Sequence, residues 1–149
     1  MAQQCYSSMF QGCTSLTTAP SLPATTLAQN CYMRMFQGCE SLRTVPTELP
    51  ATTLVTGCYN SMFTGCASLT DAPILPAIRL VSSCYTQMFQ NCINLKYIKA
   101  MFTTAPTTTY TNNWVSGVSS EGTFVKNSSA TWSNTFGASA IPTGWSVVN

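Results

Sequence analysis

The sequence predicts an α/β repeat solenoid: a right-handed superhelix of short parallel strands and short helical turns, closed by a C-terminal cap. Three observations carry that expectation. A cysteine-flanked segment recurs four times at nearly constant spacing, a leucine follows each copy at a fixed distance, and the pattern stops about two-thirds of the way along the chain.

The segments are Cys5-Tyr-Ser-Ser-Met9-Phe10-Gln-Gly-Cys13, Cys31-Tyr-Met-Arg-Met35-Phe36-Gln-Gly-Cys39, Cys58-Tyr-Asn-Ser-Met62-Phe63-Thr-Gly-Cys66 and Cys84-Tyr-Thr-Gln-Met88-Phe89-Gln-Asn-Cys92, with first cysteines 26, 27 and 26 residues apart. Leu16, Leu42, Leu69 and Leu95 lie three residues after the second cysteine of each copy. Ala19-Pro20, Val45-Pro46 and Ala72-Pro73 follow, with Ile98-Lys99 in the fourth repeat. Leu22-Pro23 to Leu27, Leu49-Pro50 to Leu54 and Leu75-Pro76 to Leu80 complete the unit. A period of 20–29 residues with recurring leucines is the signature of a leucine-rich repeat. The one extra residue falls at Thr47-Glu48, between two prolines, where a loop absorbs it.

Each element follows from this pattern. The Leu-x-x-Ala/Val/Ile segment predicts a short strand, kept short because proline cannot donate to a ladder. Thr-Thr after Pro-Ala predicts a cap for a helical turn. Within the cysteine segment, Cys, Met and Phe at i, i+4 and i+5 predict one apolar helical face. Gly12, Gly38, Gly65 and Asn91 occupy the place of a left-handed helix terminus. The expected division is therefore residues 1–100 as four leucine-rich repeats of about 26 residues and 101–149 as a divergent cap holding Trp114, Trp132 and Trp145.

Within the repeat, the order Leu-x-x-small-x-(x)-Leu-Pro, Leu, then Met-Phe-x-Gly-Cys resembles the BspA-type leucine-rich repeats of bacterial surface proteins over about residues 5–98. Met9, Met35, Met62 and Met88 stand at that group's Ala position, and Cys5, Cys31, Cys58 and Cys84 where it has Ile. Gly122-Thr-Phe124 with Ile141-Pro-Thr-Gly-Trp145 is similar to its terminal cap. The resemblance implies a cell-surface or adhesive module that binds host proteins or other cells, and brings no catalytic residues with it.

Composition bounds the function further. Hydrophobic residues make up 45% and charged residues 7% of 149, with a formal net charge of +2; average domains are about one quarter charged. No basic cluster points to nucleic acid and no apolar run is long enough to span a bilayer. Met1-Ala-Gln-Gln-Cys5 lacks the basic and apolar regions of a signal peptide. Two origins fit: part of a larger exported protein at the cell surface, or a structural or decorating protein of a bacteriophage particle released at lysis.

The expected chemistry is non-catalytic, with no cofactor and no metal. Histidine is absent, and Glu40, Glu48, Asp71 and Glu121 form no close pair. Eight cysteines without histidine at eight-residue spacing suit zinc poorly. A disulfide within one repeat would need its Cα atoms brought to about 4.4–6.8 Å, against about 12 Å across eight residues of helix. The balance falls toward two ladders of buried thiols, with disulfides as the alternative.

Three sets of residues are candidates for contact. Thr18, Thr44, Asp71, Tyr97 and Lys99 flank the inward residues of the strand and would face the concave side, toward a protein or glycan ligand. Tyr6, Tyr32, Tyr59 and Tyr85 would form an aromatic ladder, either contacting a ligand or merely shielding each neighbouring coil. Tyr6, Met9 and Phe10 form an edge expected to meet another subunit or an upstream domain.

Overall fold

A four-residue rhythm governs the cysteine segments. In the computed structural model, which describes residues 1–149, the backbone is left-handed at Gln4, Ser8 and Gly12, at Asn30, Arg34 and Gly38, at Gly57, Ser61 and Gly65, and at Ser83, Gln87 and Asn91. An α-helix requires negative φ throughout, so a left-handed residue at every fourth position forbids it. The segments fold instead as ribbons of successive tight turns. Alternate amides close these turns, as Met33 to Asn30, Met35 to Tyr32 and Gln37 to Arg34. The amides between them leave the ribbon altogether. Tyr32 donates to Cys58, Arg34 to Asn60, Phe36 to Met62 and Gly38 to Thr64. Each ribbon is thus bonded to the next through its backbone, and every amide in this stretch has one of two destinations, as buried donors require.

Burial follows the same rhythm. Cys31 and Tyr32 point inward, Met33 and Arg34 outward, Met35 and Phe36 inward, Gln37 and Gly38 outward, and Cys39 inward again. Aromatic rings therefore lie directly on their counterparts: Phe10, Phe36, Phe63 and Phe89 stack at 5.5, 5.5 and 5.8 Å between centroids. Leu42, Leu69 and Leu95 are fully buried beside them, while Leu16 at the open end is half-buried.

Strands are scarcer than the sequence implies. Where Pro20, Pro46 and Pro73 follow the inward residue, the repeats touch only through isolated parallel bridges such as Thr18 to Thr44 and Asp71 to Tyr97. The fourth repeat has Lys99 in place of proline, and there a true strand forms, β1 (Tyr97–Ala100). It is followed by a single helical turn α1 (Thr108–Thr111), then β2 (Thr123–Lys126) and β3 (Ser146–Val148). The three strands make one parallel sheet in the order β1-β2-β3, with Ile98 opposite Phe124 and Phe124 opposite Val147.

These observations correct the expected fold. The chain is a small domain, nearly all turn and loop, with three short parallel strands and one four-residue helix, and the α/β leucine-rich-repeat superhelix is not formed. Left-handed residues exclude the helical turns, and proline excludes the ladders. Thr25-Thr26 and Thr52-Thr53 cap no helix and lie in exposed bends.

Beyond Met101 the chain keeps its register on the fourth repeat. Ser83 donates to Thr109, Gln87 to Asn112, Phe89 to Trp114 and Asn91 to Ser116. Trp114, fully buried, continues the rings at 6.4 Å from Tyr85 and 6.2 Å from Phe89. Trp145 lies across Gly122, where any side chain would meet both the indole and the Lys96 carbonyl, and its Nε1 donates to Ser119 at 2.8 Å.

All eight cysteines are free, Cys5 and Cys13 exposed and the other six buried. The buried second cysteines do more than fill space. The thiols of Cys39, Cys66 and Cys92 donate to the carbonyls of Phe10, Phe36 and Phe63 in the preceding repeat at 3.0, 3.2 and 3.0 Å. A thiol-specific reagent added to the native chain should therefore find two reactive groups, and all eight after denaturation without reductant. Fewer than eight in denaturant would reveal disulfides.

Candidate functional site

The expected contact residues divide into three groups once placed in the fold. Thr44, Asp71, Tyr97 and Lys99 come together around an open trough of about 400 Å³, with Arg43, Val45, Pro46, Thr47, Ala72 and Ile74 completing its wall. The trough exists because three successive repeats present the same stretch of chain side by side. Asp71 bridges Tyr97, Ala72 donates its amide to the Tyr97 carbonyl at 2.9 Å, and Arg43 and Thr44 both donate to the Thr17 carbonyl. Backbone bonding thus fixes the spacing of the side chains, which, Ala72 apart, are exposed or half-buried. The Asp71 carboxylate accepts from the Thr70 hydroxyl at 2.7 Å. It offers an acceptor in a trough that two cations, Arg43 and Lys99, and the Tyr97 ring also line, a mixture suited to a polar ligand such as an extended peptide or a sugar.

Thr18 bridges Thr44 but stands outside the trough. Arg43, Thr47 and Ile74 are contributors that sequence reasoning missed. Arg43 follows the buried Leu42 directly, so its outward direction was readable from alternation along an extended segment.

The tyrosine ladder is real, but it is not a contact surface. Tyr6, Tyr32, Tyr59 and Tyr85 stack at 5.4, 5.7 and 6.0 Å, yet Tyr32, Tyr59 and Tyr85 are buried and only Tyr6 is exposed. Of the two readings of the ladder, burial favours shielding of the neighbouring repeat: in a four-residue rhythm the residue after each inward cysteine also faces inward. Burial pushes the Tyr32 phenol up to about 12 and those of Tyr59 and Tyr85 further. The hydroxyls of Tyr59 and Tyr85 have no hydrogen-bond partner.

Burial acts in the same direction on the thiols. It raises Cys31 and Cys39, lifts Cys84 to about 11 and Cys58 and Cys92 to about 12, and takes Cys66 higher still. A nucleophilic cysteine needs the opposite, a stabilised thiolate. No three residues among His, Cys, Asp and Glu gather where a metal ion could be held, and no helix is long and apolar enough to cross a membrane.

The third group lies at the first repeat. Tyr6 and Met9 are 39% and 59% exposed, and Phe10 is half-buried against Phe36. With Pro20, Leu22 and Pro23 they line a second, more apolar hollow of about 210 Å³. Comparison of the chain with known protein families, with curated proteins and with solved structures found no match.

Proposed function

We propose that this chain is a non-catalytic interaction module that binds a protein or glycan through the trough lined by Arg43, Thr44, Asp71, Tyr97 and Lys99. The observation that carries the reading is the convergence of two cations, a carboxylate and an aromatic ring in one open groove whose walls are backbone-bonded and so hold their spacing before any ligand arrives. Preorganised polar groups around a half-buried ring are the usual make-up of a binding hot spot. The resemblance of the Met-Phe-x-Gly-Cys segments to bacterial surface repeats supports display outside the cell. Six of the eight free thiols are shielded by burial, which is compatible with such a place.

A second reading, a structural or decorating protein of a phage particle, is favoured by one feature: the apolar, exposed edge at Tyr6, Met9 and Phe10, since apolar edges of this kind promote assembly.

The test of the first reading is binding of the full chain to a panel of extracellular-matrix proteins and surface glycans, compared with the Tyr97→Ala and Asp71→Ala variants. The expected result is binding that falls at least about tenfold in either variant, as for a hot-spot residue worth over 1 kcal/mol, with the unfolding midpoint nearly unchanged. Binding indifferent to both substitutions would remove the trough as the site, and no binding anywhere on the panel would overturn the reading.

A further inference from the structure

Neighbouring repeats are stitched together beside the inward residue, and the stitches recur with the period. Ala19 donates its amide to the Thr44 carbonyl at 2.8 Å, and Ala72 donates to that of Tyr97 at 2.9 Å. Just ahead of these bonds the Thr17 carbonyl accepts from Arg43 and Thr44, that of Thr70 from Lys96, and that of Lys96 from Thr123. Between the second and third repeats both stitches are missing. The Val45 amide donates to nothing in the chain, and the carbonyls of Asp71 and Arg43 accept nothing. All three residues line the trough, so the opening lies within it.

The extra residue of the second repeat accounts for the gap. Ser68 is bonded to Glu40 on one side of it and Leu49 to Ile74 on the other, each at 3.0 Å. From Leu42 to Leu49 the second repeat has one residue more than the third has from Leu69 to Leu75. The longer stretch must bow away from its neighbour, as a strand does at a bulge, and the bonds in between are lost.

We propose that this opening receives a sugar carrying a carboxylate: Arg43 and Lys99 hold the carboxylate, and a ring hydroxyl bridges the Val45 amide to the Asp71 carbonyl. The assignment rests on the trough being the binding site and names what it takes. Each group selects for this class. A hydroxyl donates and accepts at one oxygen, which is what an unpaired amide beside an unpaired carbonyl requires. Neither Arg43 nor Lys99 is ion-paired, the one ion pair of the chain being Lys96 with Glu121 at 3.1 Å. Two cations against the single carboxylate of Asp71 leave the trough net positive, and a guanidinium takes a carboxylate through two parallel bonds. Asp71 spends one oxygen on the Thr70 hydroxyl and keeps the other for a second sugar hydroxyl. The Tyr97 ring offers its electron-rich face to the C–H face of a pyranose.

An extended peptide fits less well. Such peptides are taken up along a free sheet edge through a run of main-chain bonds. Here the second and third repeats stay bonded on both sides of the opening, and their phenylalanines, Phe36 and Phe63, stack at 5.5 Å. An inserted strand would have to drive them to about 10 Å apart. The opening has room for one polar group.

Three probes separate the charge from the sugar: oligogalacturonate, its methyl ester with the same hydroxyls but no charge, and oligoglutamate with charge but no sugar. Each is titrated into the full chain by calorimetry, and amide exchange is followed by NMR with and without oligogalacturonate. Oligogalacturonate should bind at least about tenfold more tightly than the other two, and Arg43→Ala and Lys99→Ala should each weaken it by about that factor. The Val45 amide should exchange fast in the free chain and slow on binding, while the bonded amides of Ala19 and Ala72 stay slow throughout. Equal binding of the methyl ester or of oligoglutamate would overturn the carboxylated sugar. A Val45 amide that is slow from the start, or unmoved by bound sugar, would overturn the opening as its seat, and indifference to both substitutions would place the sugar elsewhere. Absence of sugar binding, with a protein ligand still dependent on Tyr97 and Asp71, would sink this proposal and leave the trough standing. The trough itself falls only if Tyr97→Ala and Asp71→Ala affect no ligand.

Discussion

Between pH 9 and pH 12 the chain should lose its tertiary structure, although it has no histidine and few charges to titrate below that range. The cause is the stack of buried acids. The thiols of Cys58 and Cys92 rise from 9.0 to about 12, that of Cys84 from 9.0 to about 11, and the Tyr32 phenol from 10.0 to about 12, in each case chiefly because burial penalises the charged form. A folded pKa above the unfolded one contributes stability that is complete below the unfolded value and disappears as pH rises through the folded value. One unit is worth about 1.4 kcal/mol, so a thiol shifted like that of Cys58 costs about 4 kcal/mol across the window. Domains have only about 5–15 kcal/mol in total, and several groups act together. Ionisation also removes the donors that Cys66 and Cys92 give to the Phe36 and Phe63 carbonyls. The measurement is near-ultraviolet circular dichroism with tyrosinate absorbance against pH. All six tyrosines and all eight thiols ionising near their ordinary values while the native dichroism persists would contradict the buried stacks.

Phe63→Ala should cost about 3–5 kcal/mol, as for core aromatics generally. Phe63 is fully buried, sandwiched between Phe36 at 5.5 Å and Phe89 at 5.8 Å. Truncation would remove two ring contacts and leave a void bounded by backbone-bonded ribbons, with little freedom to collapse. Phe10→Ala supplies the contrast. Phe10 has one stacked neighbour and is only half-buried, so its loss should cost well under half as much. Urea unfolding checks both: the midpoint should drop sharply for Phe63→Ala and slightly for Phe10→Ala, with slopes unchanged. Equal costs would mean that the first repeat is as enclosed as the third.

What the sequence made legible and what it hid have separate physical causes. The register was legible because identical side chains at a fixed period must stack on one another, which placed Leu42, Leu69, Leu95 and the phenylalanines in the core. Gly12, Gly38 and Gly65 showed their left-handed backbone plainly, at φ near +75°. The intervening left-handed positions did not, because Ser8, Arg34, Ser61 and Gln87 carry no such signal, and without them the segment reads as a helical turn. That one omission left the direction of the tyrosines open, since a helix would turn them aside and the turn ribbon turns them inward. The prolines told of short strands but not of their near disappearance; only Lys99, standing where a proline recurs elsewhere, marked the site of β1. Of the trough, Thr44, Asp71, Tyr97 and Lys99 followed from alternation beside the inward residues, while Thr47 and Ile74 join its wall through the backbone bond between them, which spans two repeats.

The tyrosine column ends on an indole. Tyr6, Tyr32, Tyr59 and Tyr85 stand in line at 5.4–6.0 Å, and the last lies 6.4 Å from Trp114. Electronic excitation absorbed by any ring of the column can hop along it and drain to the lower-energy indole. The folded chain should thereby act as an antenna: light taken up by these four tyrosines should leave as tryptophan fluorescence, and their phenolic emission should rise when the column comes apart.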